Sequence, residues 1–234
     1  MKVYIVLAHP EPASFNHALA RAAREALETG GHEVRLDDLY ANGFSPLASR
    51  ADFAAVEDGE RFSLQGEQRA SARREHGFAA EIEAAQQNLV WCDLLILQFP
   101  VWWFSTPAIL KGWFDRVLSA GFAYGGGNWF ETAPLYGRRA LVSLTSGGTE
   151  DRWGANGLFG EIETILHAVQ IGTLNFCGFE VLHPHLVLGP ARMGKEGRAK
   201  TLADWRERLG RIAREEALPF RCAADFTDPA YRDG

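Results

Sequence analysis

Residues 93–124 read DLLILQFPVWWFSTPAILKGWFDRVLSAGFAY. Leu94–Phe99 is an apolar run of strand length with no helical spacing. Pro100-Val101-Trp102-Trp103-Phe104-Ser105-Thr106-Pro107 then interrupts the chain with two prolines and three aromatics. A helix pattern follows at once, with Ile109, Trp113 and Val117 on one stripe and Leu110 and Phe114 beside it. Thr106 is the expected N-cap and Pro107 the expected first helical residue. Trp113 and Phe114, on that stripe, are expected in the core. A strand that opens into flat side chains and then into a helix suits a flat ligand at the edge of an α/β sheet.

The same alternation extends outward. Val3–Ala8 reads as a buried strand, and Ser14 caps a helix from Phe15 that Gly30-Gly31 stops. Glu33–Leu36 is a short second strand. Residues 38–77 hold no clean strand and read as loop with short helices. Phe78, Ile82, Ala85 and Leu89 mark the helix before Leu94–Phe99. Arg139–Thr145 is a fourth strand, Leu158, Ile162, Ile165 and Val169 a helix, Phe176–Leu182 a fifth strand, and Leu202, Trp205, Leu209 and Ile212 the last helix. Strands alternating with helices give an α/β class with a doubly wound, five-stranded parallel sheet, and the order 2-1-3-4-5 suits it. One domain over 1–234 is expected, with a long insertion after strand two and a C-terminal tail over 215–234.

Composition narrows the function. The 234 residues are 47% hydrophobic and 23% charged, the profile of a soluble globular protein. A formal net charge of −6 argues against a nucleic-acid partner, which needs clustered Lys and Arg. The arginines of 69–74 are interrupted by Glu67 and Glu75 and read as a solvated face. Cys92, Cys177 and Cys222 form no CxxC, and Cys92 and Cys177 lie in apolar surroundings, which fits small core residues in a reducing compartment. The apolar start ends at His9-Pro10, too short for a leader or a membrane span. The expectation is a cytoplasmic protein without membrane insertion.

Ligands of open α/β sheets lie beyond the carboxyl ends of the strands. Three loops leave those ends: 9–14, 100–106 and 146–153. The first offers backbone N–H groups and the Ser14 hydroxyl to a phosphate at a helix N-terminus. The second supplies Trp102, Trp103 and Phe104. In the third, Gly147-Gly148 permits close backbone approach. No GxGxxG follows strand one, and neither GxxxxGK[ST] nor GxSxG occurs. A flat phosphorylated cofactor without those signatures points to a flavin. His183-Pro184-His185 has no neighbouring Cys or carboxylate cluster and reads as a surface loop, so no metal site is expected. Asp37 and Asp38 read as solvated.

At this point the chain resembles the NAD(P)H:quinone oxidoreductases, DT-diaphorase-like flavoproteins of flavodoxin-like fold. The likeness is carried by Val6-Leu7-Ala8-His9 with Ser14-Phe15-Asn16, by Gln98-Phe99-Pro100, by Trp103-Phe104, and by Pro107–Phe114. Phe122-Ala123-Tyr124, Gly147-Gly148 and Phe176-Cys177-Gly178-Phe179 continue it. It implies FAD rather than FMN, bound by His9, Ser14, Phe15, Asn16, Pro100, Val101, Trp102, Trp103, Phe104, Thr145, Ser146, Gly147 and Gly148, with Arg198 at the adenylate half. Trp103 and Phe104 would flank the ring. It further implies a homodimer with the active sites at its interface, Tyr124, Gly125 and Gly126 on the substrate side, and NAD(P)H and quinone taking turns at the flavin.

The sequence departs from that family at three places. The better-known members carry a tyrosine and a histidine after the Gly-Gly as a proton relay, and the aligned positions here are Trp153 and Phe159, which cannot both donate and accept a proton. The second tyrosine of the family's Tyr-x-Tyr is Gly126. A wider, more apolar pocket with altered substrate preference is expected. The rival readings are an ancillary subunit of a potassium-efflux antiporter, a nitro- or azo-reductase, and a flavodoxin-type electron carrier.

Overall fold

Along the first strand, side chains alternate between two fully buried environments. The computed structural model describes residues 1–56 and 61–223. In β1 (Lys2–Leu7), Tyr4 and Val6 enter one apolar core, while Val3, Ile5 and Leu7 enter another on the opposite face. β3 (Leu94–Pro100) divides in the same way: Leu95, Leu97 and Phe99 on one face, Leu94 and Ile96 on the other. A strand buried on both sides cannot show the half-polar alternation of an exposed sheet, so it appears in sequence as a continuous apolar run.

Two layers of helix supply those environments. α1 (Phe15–Thr29) and α6 (Gly194–Leu209) pack together over one face, with Leu19, Ala23, Leu27, Trp205 and Leu209 buried. Trp205 is fully buried and its indole N–H donates to Leu19 O at 3.2 Å, so the polar end of a large ring is satisfied. α3 (Ala80–Trp91), α4 (Ala108–Val117) and α5 (Ile162–Val169) cover the other face. Trp113 and Phe114 of α4 are buried there, as their stripe predicts, and Cys92 and Cys177 are small buried side chains whose thiols burial pushes up to about 12.

The parallel sheet runs β2-β1-β3-β4-β5, with β2 Glu33–Asp38, β4 Arg139–Ser146 and β5 Glu180–Val181. The expected order is present, but the fifth position differs from the single strand 176–182. β5 pairs only with Arg139 and Ala140, and β6 (His185–Leu188) takes over at Ser143–Ser146. Between the pairs Ala140–Val181 and Ser143–His185 the outer side is one residue longer, three residues (182–184) facing two, and Pro184 among them has no N–H for the ladder. His185 is therefore no surface-loop residue. It begins β6 and stacks on Trp205, ring centroids 4.1 Å apart.

Three further expectations shift. Pro107 is itself the cap of α4, with φ −54° and ψ 147°, and its carbonyl accepts from Leu110 and Lys111, so the helix begins one residue later than the Thr106 cap predicts. Leu158 is no helix residue but is 75% exposed, because Gly160 at φ +74° breaks the path before Ile162. Asp37 and Asp38 are not idle on the surface: Tyr4 donates to Asp37 at 2.8 Å, and Asp38 pairs with His17 at 3.0 Å.

The long segment after β2 carries α2 (Leu64–Ser71) and is tied down by Arg116. That side chain, 3% exposed, donates to Asp52 Oδ1 at 3.0 Å, to Ser45 O at 2.8 Å and to Glu81 Oε1 at 2.8 Å. Of the expected tail, 215–234, the described part docks on β5, with Leu218 N donating to Val181 O at 2.7 Å, and the rest lies outside the described residues. Among the described residues no helix is long and apolar enough to cross a membrane.

Candidate functional site

The carboxyl ends of β1, β3 and β4 converge on one edge, tied together beneath it by a buried amide network. Gln98 Nε2 donates to Asn16 Oδ1 at 2.8 Å, and Asn16 Nδ2 donates to Thr145 Oγ1 at 2.9 Å. All three side chains are buried, so β3, α1 and β4 are locked in one geometry by groups that would be costly to leave unpaired. Above this floor lies a cavity of about 680 Å³. His9, Ser14, Phe15, Asn16, Pro100, Val101, Trp102, Thr145, Ser146, Gly147 and Arg198 line it, which brings together most of the expected cofactor residues.

Ser14 ends the first loop and caps α1, its Oγ accepting from His17 N at 3.3 Å. The first turn leaves the amides of Phe15 and Asn16 without intrahelical acceptors, beside the cavity they line. Arg198 approaches from α6 and donates to Pro190 O at 3.4 Å. His9 accepts from Glu11 N and sits 5.9 Å, centroid to centroid, from Trp102. Burial and the neighbouring His17 hold its imidazole below the ordinary value of 6.5, which favours the neutral form.

The aromatic break folds as a hairpin turn. Trp102 and Ser105 exchange two backbone hydrogen bonds of 3.0 Å, with Trp103 at φ +50° and Phe104 at φ +55° between them. Positive φ at both central positions is the type I′ requirement, normally met by Asn and Gly. The chain contains its own comparison: Gly125 and Asn128 exchange the same pair of bonds at 3.1 Å around Gly126 at +63° and Gly127 at +84°. Placing Trp and Phe where that turn uses two glycines is strained, and Trp103 is 97% exposed, so packing does not compensate for it.

Phe104 reaches a second recess of about 240 Å³, lined by Val101, Trp103, Phe104, Ser146, Gly147, Gly148, Trp153 and Phe159. Phe104, Trp153 and Phe159 meet edge-on, with centroids 5.3–5.7 Å apart. A Cβ on Gly148 would lie 2.7 Å from Phe159 and 2.9 Å from the Trp153 Nε1, so no larger residue fits there. Trp153 donates its one N–H to Ser146 Oγ at 3.1 Å. The pair at the relay positions thus offers no free proton donor or acceptor. Val101, Ser146 and Gly147 line both cavities, which join into one groove with a polar end and an aromatic end.

The substrate-side residues are elsewhere in the single chain. Tyr124 lines a different cavity with Lys111, Phe176 and Cys177, its ring 5.5 Å from Phe176. Gly125 and Gly126 form the second hairpin turn and line neither cavity of the groove, so the widening expected from Gly126 does not arise within one chain. Sequence reasoning also missed His17, Asp38, Pro190 and Ala191. The last two line the large cavity because β6 delivers them there. The signal for His17 was its place three residues after a capping serine, one turn along the helix.

Comparison with known proteins agrees with this architecture. Residues 1–209 match a family model described as flavodoxin-like fold. The chain is 42% identical over 226 residues to NAD(P)H dehydrogenase [quinone] 1 of Cavia porcellus, covering 96% of this chain and 82% of that one. It is 39% identical over 225 residues to the human ribosyldihydronicotinamide dehydrogenase [quinone], covering 96% of each. Among solved structures, a putative quinone reductase from Klebsiella pneumoniae superimposes with a TM-score of 0.89 at 38% identity, covering 94% of this chain and 88% of that one. The chain belongs to the NAD(P)H:quinone oxidoreductase family of flavodoxin-like proteins.

Proposed function

We propose that this protein is a flavin-dependent NAD(P)H oxidoreductase that reduces quinones by two electrons, with FAD as its cofactor. The observation that carries the reading is the pair of adjoining cavities that share Val101, Ser146 and Gly147, one at the N-terminus of α1 and one aromatic at the Trp102–Ser105 turn. Bound flavin supplies the hydride chemistry, and the chain's residues hold and orient it. The amides of Phe15 and Asn16, the Ser14 hydroxyl and Arg198 suit the diphosphate and adenylate half. FAD is preferred to FMN on the family likeness, with the adenylate half placed in the cavity that Arg198 lines. Trp103 and Phe104 flank the ring, and Thr145, Ser146, Gly147 and Gly148 bring backbone close to it.

Trp153 and Phe159 take the relay positions without relay chemistry, since one N–H is committed to Ser146 and the other side chain has no polar atom. Protonation of the reduced product then falls to solvent. General acid–base assistance is worth about 10²–10⁴ in rate, so its loss slows one half-reaction without abolishing hydride transfer. Tyr124, Gly125 and Gly126, outside the groove of their own chain, face the flavin of a second copy in a homodimer. The protein works in the cytoplasm. The test is the visible spectrum of purified protein, with the released flavin identified, before and after NADPH or NADH and then quinone. Bleaching by a nicotinamide donor and recovery on quinone addition is expected. A bound flavin that neither donor reduces would overturn the reading.

A further inference from the structure

His17 has no part in the groove lining, yet it is bonded to a residue that does. It lies on the first turn of α1, 8% exposed, with Nδ1 3.0 Å from Ser14 Oγ and Nε2 3.0 Å from Asp38 Oδ2. We propose that His17 is a positioning residue whose proton sets the direction of the Ser14 hydroxyl, so that the cofactor's phosphate binds with uptake of a proton. The inference rests on reading the large cavity as the diphosphate end of a flavin site.

The argument is one of donor and acceptor counting. Asp38 accepts at both oxygens, Oδ1 from Tyr40 N at 3.2 Å and Ala41 N at 3.1 Å, and Oδ2 from the imidazole. A carboxylate that only accepts requires Nε2 to carry a hydrogen in either charge state of the ring. In the neutral ring Nδ1 is then bare and can only accept. Ser14 must donate its single hydroxyl hydrogen to it, while a lone pair on Oγ accepts from His17 N. What Ser14 presents to the cavity is oxygen without hydrogen, which repels a phosphate oxygen.

Protonation reverses the bond. Nδ1–H now donates to Ser14 Oγ, the hydroxyl hydrogen is released, and it can turn into the cavity beside the first-turn amides. The ring gains a positive charge that Asp38 balances. The nitrogens are used in the opposite sense from a hydrolytic triad, where Nε2 faces the serine, and here the serine is a helix cap rather than a nucleophile.

The charges around the ring come from four elements. Asp38 at the end of β2 meets the ring at Nε2, its neighbour Asp37 is engaged by Tyr4 and Asn42 instead, and Glu11 lies in the first loop beside His9. His9 is 6.2 Å away, and burial first, then His17, holds its own imidazole towards the neutral form. Arg21, further along α1, turns its guanidinium to Pro12 O, and Arg198 of α6 lines the cavity.

The experiment measures FAD binding to flavin-stripped, full-length protein by fluorescence quenching between about pH 5.5 and 8.5. Titration calorimetry in two buffers of different protonation enthalpy is run alongside it. Affinity is expected to fall as pH rises, by up to about tenfold per pH unit where the linkage is steepest. The calorimetry is expected to show proton uptake in the wild-type protein. In His17→Gln, whose amide cannot titrate, and in Ser14→Ala, the dependence is expected to flatten. FAD affinity in the wild type that is level with pH, with no buffer dependence of the enthalpy, overturns the inference. So does a pH slope that survives His17→Gln. Failure to bind FAD at any pH overturns the flavin reading beneath it instead.

Discussion

Replacing Trp103 with asparagine is expected to make the flavin-free protein more stable and the flavin weaker bound. Trp103 sits at φ +50° with its side chain 97% exposed. A left-handed backbone costs an ordinary L-residue about 1–2 kcal/mol, and asparagine tolerates it best after glycine. An exposed indole contributes no burial that its removal would forfeit, so Trp103→Asn is expected to gain about 1 kcal/mol. For a domain of this size that raises Tm by about 2–4 °C. The same change removes a ring from the proposed flavin shelf. An aromatic contact is worth about 0.5–1.5 kcal/mol, so FAD affinity falls by about two- to tenfold. Thermal melting of stripped protein and fluorescence titration with FAD measure the two effects separately. Gly126→Ala is the mirror control: at φ +63°, with nothing within 4 Å of an added Cβ, it is expected to lose about 1 kcal/mol through backbone strain alone. If stripped Trp103→Asn melts at or below the wild type, the strain assigned to the turn is refuted.

Arg116→Met leaves the carboxylate of Asp52 buried without its cation, and a loss of about 3–5 kcal/mol is expected in urea unfolding, with no change in slope. Gln98→Leu takes the donor from Asn16 Oδ1; a cost of about 1–3 kcal/mol and a weaker flavin complex are expected, and a variant as stable as the wild type would show the amide network to be dispensable. His185 gives a pH dependence whose sign is fixed. Burial first, then the charge of Arg208, lowers its folded value from the ordinary 6.5 to about 4, and its buried Nε2 has no partner. Above about pH 6.5 both states are neutral and the group is silent. Between there and about pH 4 the unfolded chain takes a proton that the fold refuses, so stability falls by up to about 3 kcal/mol. His185→Phe, which keeps the stack on Trp205, is expected to flatten that part of the acid limb, and an unchanged slope between pH 6.5 and 4 would exclude His185 as its source.

The parts of the fold legible in the sequence are those where one signal dominates. β1, β3 and β4 announce themselves because burial on both faces leaves only apolar residues. α1 is framed by Ser14 and Gly30, two residue types whose local chemistry marks a helix start and stop. The fifth position misled because Phe176–Leu182 has strand composition, yet its first half completes the turn after a π-helical segment, and the extra residue within 182–184 is a property of register. The groove was legible as three loops and their residue types. The His17–Asp38 pair was not, because it depends on the end of β2 lying level with the first turn of α1, and no local pattern encodes that. Tyr124 reads as a pocket residue by its neighbours in sequence, but the single chain turns it towards Phe176.

The divided fifth strand separates two inheritances of the sheet edge. β5 clasps the far end of β4 and receives residues 217 and 218, through Leu218 and the bridge from Leu182 to Ala217. β6 clasps the near end, and Gly189 N, bonded to Ser146 O at 2.8 Å, hands the chain on to α6 and Arg198. Among the described residues beyond 215, Ala217 and Leu218 load the outer clasp, while Phe220, Arg221 and Ala223 rest on Tyr136, Asn175 and Glu131, none of which lines the groove. The inner one keeps its own register with Ser143–Ser146, so a change in residues 217–223 is separated from the groove by a strand that does not touch them.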